Sequence, residues 1–244
     1  MKIGIFDSGL GGLTVYREIR KLTAAGSIIY FGDTKRTPYG SKSPEIIKEY
    51  AAESVDFLKK NNARLIVIAC NTINALALDY LKKNFDLPFV DLISNGTKMA
   101  LQASKTKEIG VLATEATIKS GAYTNALKGA KVHLQACPVF VPLVEEGLTD
   151  EEIVYPIAKY YLKNMNTVDT IILGCTHYPF LEGISKAAGK KKLIDPAEET
   201  AKQTVIHIKK NIPGEDIFFT SGDADKFGNI GSMLLKRTIN ACQV

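Results

Sequence analysis

The chain has 244 residues, 45% hydrophobic and 23% charged, with a formal net charge of +5. That length can bury a substantial core in one or two domains, and the composition excludes a disordered or fibrous chain. No apolar run approaches the ~20 residues of a membrane span, and the basic residues are dispersed apart from Lys190-Lys191-Lys192, so neither a membrane nor a nucleic-acid partner is expected.

Met1-Lys2 leads directly into Ile3-Gly4-Ile5-Phe6 and then Asp7. This is too short and too early charged for a secretory signal, which makes the expected location cytoplasmic. Residues 2–6 form the first predicted strand, followed by the glycine-rich stretch Ser8-Gly9-Leu10-Gly11-Gly12. Further strands are predicted over 27–31, 65–69, 89–92, 108–112, 131–136, 170–173, 192–194 and 216–220. Amphipathic stretches lie between them. In residues 44–61, for example, Ile46, Ile47, Tyr50, Ala51, Val55 and Leu58 recur at helical spacing. This alternation predicts a doubly wound α/β protein with mainly parallel sheets. Residues 32–41, a long polar segment containing Tyr39 and Gly40, read as a functional loop.

The second half carries a weak copy of the first. Lys2-Ile3-Gly4-Ile5-Phe6-Asp7-Ser8 aligns with Glu108-Ile109-Gly110-Val111-Leu112-Ala113-Thr114 at an offset of 106 residues. Leu65-Ile66-Val67-Ile68-Ala69-Cys70-Asn71-Thr72 aligns with Thr170-Ile171-Ile172-Leu173-Gly174-Cys175-Thr176-His177 at an offset of 105. Two ordered matches imply two similar domains face to face, with one cysteine on each side of an interdomain cleft. The expected division is 1–96 plus 210–244 for the first domain and 97–209 for the second, the last strand and helix crossing back to complete the first. Ligands in open α/β sheets sit past the carboxyl ends of strands, where Asp7, Ser8, Cys70, Asn71, Thr72, Cys175, Thr176 and His177 all fall.

Four dispersed cysteines without a CxxC pair argue for free thiols rather than a disulfide framework. Cys137 and Cys242 read as core fillers. Cys70 and Cys175 each follow a strand where a helix is about to begin, and a helix N-terminus stabilises a thiolate. Two thiols facing one carbon suit stereoinversion, one removing a proton while the other delivers a proton to the opposite face. Asp7 and Glu145 can receive an ammonium or support the thiols, while Ser8, Asn71, Thr72, Thr114, Thr117 and Thr176 offer neutral donors to carboxylates. Other readings stay open: Cys175 with His177 as a nucleophilic pair, a metal held by Cys70, Cys175, His177 and His133, a redox pair of thiols, and an amino-acid-binding protein without catalysis. The glycine-rich stretch has Thr14 where a dinucleotide loop needs its third glycine, and no Walker lysine follows.

From Ile3 to about Ala201 the chain resembles the glutamate racemase family. The resemblance is carried by Phe6-Asp7-Ser8-Gly9, Gly11-Gly12-Leu13-Thr14-Val15, Tyr30-Phe31-Gly32-Asp33-Thr34, Pro38-Tyr39-Gly40, Ala69-Cys70-Asn71-Thr72 and Gly174-Cys175-Thr176-His177-Tyr178-Pro179. It implies a two-domain racemase acting on glutamate without pyridoxal phosphate or any other cofactor or metal, a homodimer, and D-glutamate supply for peptidoglycan. It further implies that Cys70 and Cys175 each deprotonate one enantiomer, assisted by Asp7, Glu145 and His177. Asp7, Ser8, Tyr39, Gly40, Asn71, Thr72, Thr176 and His177 are the implied substrate contacts. Glu146 adjoins Glu145 and competes for its role. An aspartate or broad-specificity racemase is the alternative within the family. The chain departs from the family pattern at Ile73-Asn74 and at Ser94-Asn95-Gly96.

Overall fold

A computed structural model describes residues 1–208 and 213–244. The first half contains β1 (Lys2–Asp7), α1 (Leu13–Leu22), β2 (Ser27–Gly32), α2 (Pro44–Lys60), β3 (Leu65–Ile68), α3 (Asn71–Asn84), β4 (Phe89–Val90) and α4 (Ile93–Ala103). Then come β5 (Glu108–Ala113), α5 (Glu115–Lys119), α6 (Ala122–Ala126), β6 (Lys131–Ala136), α7 (Phe140–Glu145), α8 (Glu151–Leu162), β7 (Thr170–Gly174), α9 (Gly183–Ala188), β8 (Lys192–Ile194) and α10 (Pro196–Val205). The chain ends with β9 (Ile217–Thr220), α11 (Ala224–Leu235) and β10 (Ala241–Gln243).

The strands form two sheets in which every described pairing is parallel, ordered β10-β9-β2-β1-β3-β4 and β6-β5-β7-β8. The order β2-β1-β3-β4 recurs as β6-β5-β7-β8, which gives the sequence repeat a physical form. Ile3 pairs with Leu65 in one sheet, and Ile109 pairs with Thr170 in the other, the same positions the two offsets connect. Strands β1, β3, β5 and β7 are almost wholly buried apolar runs, as expected where helices cover both faces of a parallel sheet. β9 adds to the edge of β2, so the chain returns to the first sheet at its end.

Helix α2 shows how the pattern becomes packing. Pro44 fits its first turn, Ser43 accepts from the Ile46 N–H, and Ile47, Ala51, Val55 and Leu58 face inward. The largest core cluster unites the two halves, with Ile3, Leu13 and Tyr16 in one body with Leu112, Phe140, Leu173 and Tyr178. α10 packs against α1 and α4, and α4 rests on β7 and β8. At the first sheet's far edge, Asp216 accepts from the Tyr16 hydroxyl at 2.7 Å and from Arg20, which also reaches the Gly26 carbonyl at 2.7 Å. These bonds tie α1 to the start of β9.

Two departures from the predicted elements have local causes. The strand expected over 89–92 pairs only at Phe89 and Val90, because the Leu92 N–H turns to the Asn74 side chain, 3.0 Å away. β10 was not anticipated: its Ala-Cys-Gln carries no apolar alternation and pairs along β9 at the sheet edge. Cys242 therefore sits exposed on an edge strand instead of filling the core, whereas Cys137 is fully buried. The division into 1–96 plus 210–244 and 97–209 stays a proposal. Its first boundary runs through α4, and the boundary between 209 and 210 lies outside the described residues. No described helix is long and apolar enough to cross a membrane.

Candidate active site

The carboxyl ends of β1, β3, β5 and β7 converge, and the residues just beyond them form one buried polar cluster. Cys70 caps α3 and Cys175 follows β7, and only 5% and 6% of their surfaces are exposed. Each thiol has its own support. Cys70 Sγ lies 3.7 Å from Ser8 Oγ. Cys175 Sγ lies 3.6 Å from His177 Nδ1, and His177 Nε2 is 2.6 Å from Glu145 Oε1. Glu145 also accepts from the Leu10 N–H at 2.8 Å, so the end of α7 is pinned to the turn after β1. Glu146 points away and pairs with Lys226 at 2.8 Å on the surface. Of the two adjacent carboxylates, only Glu145 reaches the cluster.

The glycine-rich turn makes this approach sterically feasible. A Cβ on Gly9 would fall 2.1 Å from Glu145 Oε1, and one on Gly11 would fall 2.3 Å from His177 Nδ1. The turn therefore provides clearance for two side chains from the other half.

Burial pushes the Cys70 thiol up to about 12, with nearby Asp7 adding to the effect, while the Ile73 N–H and Ser8 oppose it. The lowering expected from a helix N-terminus is thus outweighed by desolvation. At Cys175 the anticipated α-helix does not begin; only a one-turn 3₁₀ segment, Tyr178–Phe180, follows. Burial works against protonation of His177, but its bonds to Cys175 and Glu145 raise it well above the ordinary histidine value. A protonated His177 offsets negative charge on both neighbours.

Asp7 accepts from the Gly9 N–H at 3.2 Å and lies 3.4 Å from the Thr176 hydroxyl. Burial raises its carboxyl to about 6, with His177 pulling down and Glu145 pushing up. Because the folded value exceeds the ordinary 3.8, the folded state binds the proton more tightly than the unfolded chain. This contribution to stability is full below about pH 4 and is lost as pH rises through about 6. Asp7→Asn is expected to abolish it: the variant's stability relative to the parent should climb between pH 4 and 7 in urea titrations. A pH-independent difference would refute the assignment.

Hydroxyls from both halves also meet. Thr72 and Thr114 lie 2.9 Å apart, as do Thr114 and Thr117, with Thr72 and Thr117 at 3.4 Å. Gly40 abuts Thr114, and a cavity of about 330 Å³ opens beside it, lined also by Lys42, Glu115 and Lys119. Asn71 accepts from the Tyr123 hydroxyl at 2.7 Å, while its own Nδ2 is buried without a partner among the described residues. A buried donor left unpaired is costly, and a carboxylate oxygen would satisfy it. The Tyr39 hydroxyl is committed to Asp33, which also accepts from Ser221 at 2.6 Å and Arg36 at 2.5 Å. Tyr39 thus has no free hydroxyl to offer a ligand, and Asp33, unassigned in the sequence reading, anchors the loop.

His133 lies apart from this cluster, its Nε2 2.9 Å from Glu108 at the opposite end of the second sheet. The four ligands considered for a metal are not brought together. All four cysteines are free.

The sequence profile of the Asp/Glu/hydantoin racemases matches residues 3–204. A glutamate racemase of Aquifex aeolicus is 48% identical over 232 residues, covering 90% of this chain and 89% of its own. The crystal structure of glutamate racemase isoform RacE1 from Bacillus anthracis superposes with a TM-score of 0.93 at 38% identity, covering 99% of this chain and 96% of that one. The Francisella tularensis glutamate racemase, solved in complex with D-glutamate, gives 0.90 at 34% identity, covering 100% and 97%.

Proposed function

Since the chain belongs to the Asp/Glu/hydantoin racemase family, we propose that it interconverts L- and D-glutamate by passing the α-proton between substrate and two thiols, Cys70 and Cys175. The observation that carries this reading is the pairing of equivalent strand ends. β3 and β7 occupy matching places in their sheets, each delivers a cysteine to one buried cluster, and each cysteine has a separate polar partner.

In this reading glutamate lies between the halves with the thiols on opposite faces of its α-carbon. One thiolate removes the α-proton, and the opposing thiol supplies the proton that completes inversion. The roles exchange for the other enantiomer. Asn71 Nδ2 and the Thr72, Thr114 and Thr176 hydroxyls hold carboxylate oxygens, with Ser8, Gly40 and the neighbouring Tyr39 completing the enclosure and Thr117 supporting Thr114. Asp7 receives the ammonium beside Cys70, and that positive charge favours the thiolate that burial alone disfavours. His177 and Glu145 play the balancing part at Cys175. General acid–base catalysis typically contributes ~10²–10⁴-fold, so orientation and stabilisation of the developing carbanion in a dry site must add the rest. Both thiols are nearly inaccessible, which supports entry of glutamate by separation of the two halves.

The same family membership supports a cofactor-free enzyme, a homodimer, a cytoplasmic location and D-glutamate supply for peptidoglycan. The test is incubation of L-glutamate with the purified protein in D2O without added cofactor, followed by chiral separation, with aspartate in parallel. α-Deuterated D-glutamate is the expected product; absence of α-exchange from both glutamate enantiomers would overturn the reading.

A further inference from the structure

Asn74 is buried in the first turn of α3, and no step above uses it. Its Nδ2 donates to the Ile68 carbonyl and to the Cys70 carbonyl, both at 2.7 Å, while its Oδ1 accepts from the Leu92 N–H at 3.0 Å. Only this orientation satisfies all three partners. Rotated by half a turn, the amide would set its NH2 against an N–H and its oxygen against two carbonyls.

These partners lie at informative places. Ile68 ends β3 and Cys70 caps α3, so one side chain grips both sides of the Ala69-Cys70 corner. The Cys70 carbonyl receives the Asn74 backbone N–H as well, at 2.9 Å. Leu92 caps α4, and α4 rests on β7, the strand that delivers Cys175. Asparagine is a poor helix former, and its use at this position is explained by the bonds it makes. It is also one of the positions where the chain departs from the pattern it resembles.

We propose that Asn74 is a positioning residue for Cys70, fixing the peptide that aims this thiol at the α-carbon while leaving Cys175 to His177 and Glu145. The proposal rests on the two-thiol reading. Racemisation rates cannot test it, because inversion needs both thiols. Elimination of HCl from 3-chloroglutamate can: one base removes the α-proton, the electron pair forms the Cα–Cβ double bond, and chloride departs from Cβ. The resulting enamine tautomerises to an imine, which water hydrolyses to 2-oxoglutarate and ammonium. Each enantiomer needs only the thiol on its own face.

Asn74→Ala and Asn74→Ser would be assayed on both enantiomers beside Cys70→Ser and Cys175→Ser. Misplacement of a reacting group by about 1 Å can cost ~10²-fold. Asn74→Ala is therefore expected to slow elimination ~10- to 100-fold with the enantiomer that Cys70→Ser abolishes, with little change for the other. Asn74→Ser, whose hydroxyl can bond the carbonyl one turn back, should recover part of the loss, and it carries the test if the alanine variant does not fold. Equal slowing of both enantiomers, or of neither, overturns the positioning role. If the two cysteine variants themselves fail to separate the enantiomers, the two-thiol reading falls, and this proposal falls with it.

Discussion

Replacing Cys175 with alanine is expected to lower kcat/KM for racemisation by ~10³–10⁴-fold, near the upper range for loss of a positioned acid–base group, and by the same factor from L- and from D-glutamate. The equality is a thermodynamic requirement: enantiomers have equal free energy, so the two values of kcat/KM must match in any variant. A two-thiol enzyme adds a sharper signature. In 3-chloroglutamate elimination, Cys175→Ala should lose activity toward one enantiomer and keep most of it toward the other, while Cys70→Ala should show the opposite preference. The alternative pairing of Cys175 as nucleophile with His177 predicts instead that Cys70 is dispensable. Retention of full racemase activity in either cysteine variant, with the chain folded, would sink the scheme. Circular dichroism and a urea midpoint supply the folding control, and Cys175 is small enough that its truncation leaves the surrounding core largely intact.

Cys70 and Cys175 stood out in the sequence because the repeat is encoded locally. Nearly matching offsets of 106 and 105 residues become the observed pairings of Ile3 with Leu65 and Ile109 with Thr170. Strand positions were legible for a related reason: doubly covered parallel strands are continuous apolar runs, whereas β10 lies at an edge and carries no such run. What sequence could not show is distance across the fold. Glu145 and Glu146 differ by one position on a short helix, and only packing decides that Glu145 meets Leu10 and His177 while Glu146 meets Lys226. Tyr39 appeared as a direct contact, but its hydroxyl is taken by Asp33. Asn74 carried no recognisable motif, because its three partners are two backbone carbonyls and an N–H that become neighbours only when β3, α3 and α4 come together. Sequence spacing also overstated the symmetry of the site: Cys70 caps α3, while a single 3₁₀ turn follows Cys175, so the two thiols sit in different local structures.

That asymmetry makes Gly11 a second point of high sensitivity. A methyl group there would sit 2.3 Å from His177 Nδ1 and 2.6 Å from Thr176 Oγ1, inside any permitted contact. Gly11 does not require a left-handed backbone, since it is absent from the positive-φ glycines; clearance is the reason for its small size. His177 has little freedom to yield, being 1% exposed and held by Glu145 at 2.6 Å. The added methyl therefore has to break either the His177–Cys175 contact or the His177–Glu145 bond. Gly11→Ala is expected to reduce kcat by ~10²-fold, the scale on which small misplacements of catalytic groups act, with a stability loss of ~1–3 kcal/mol from overpacking. In chloroglutamate elimination its loss should fall on the enantiomer that depends on Cys175, the reverse of the preference expected for Asn74→Ala. A uniform loss for both enantiomers would mean that the turn supports the cleft as a whole. A selective one would mean that its glycine exists to let the His177–Glu145 pair reach one thiol, and that the two faces of a near-symmetric fold are tuned by separate and locally unrelated devices.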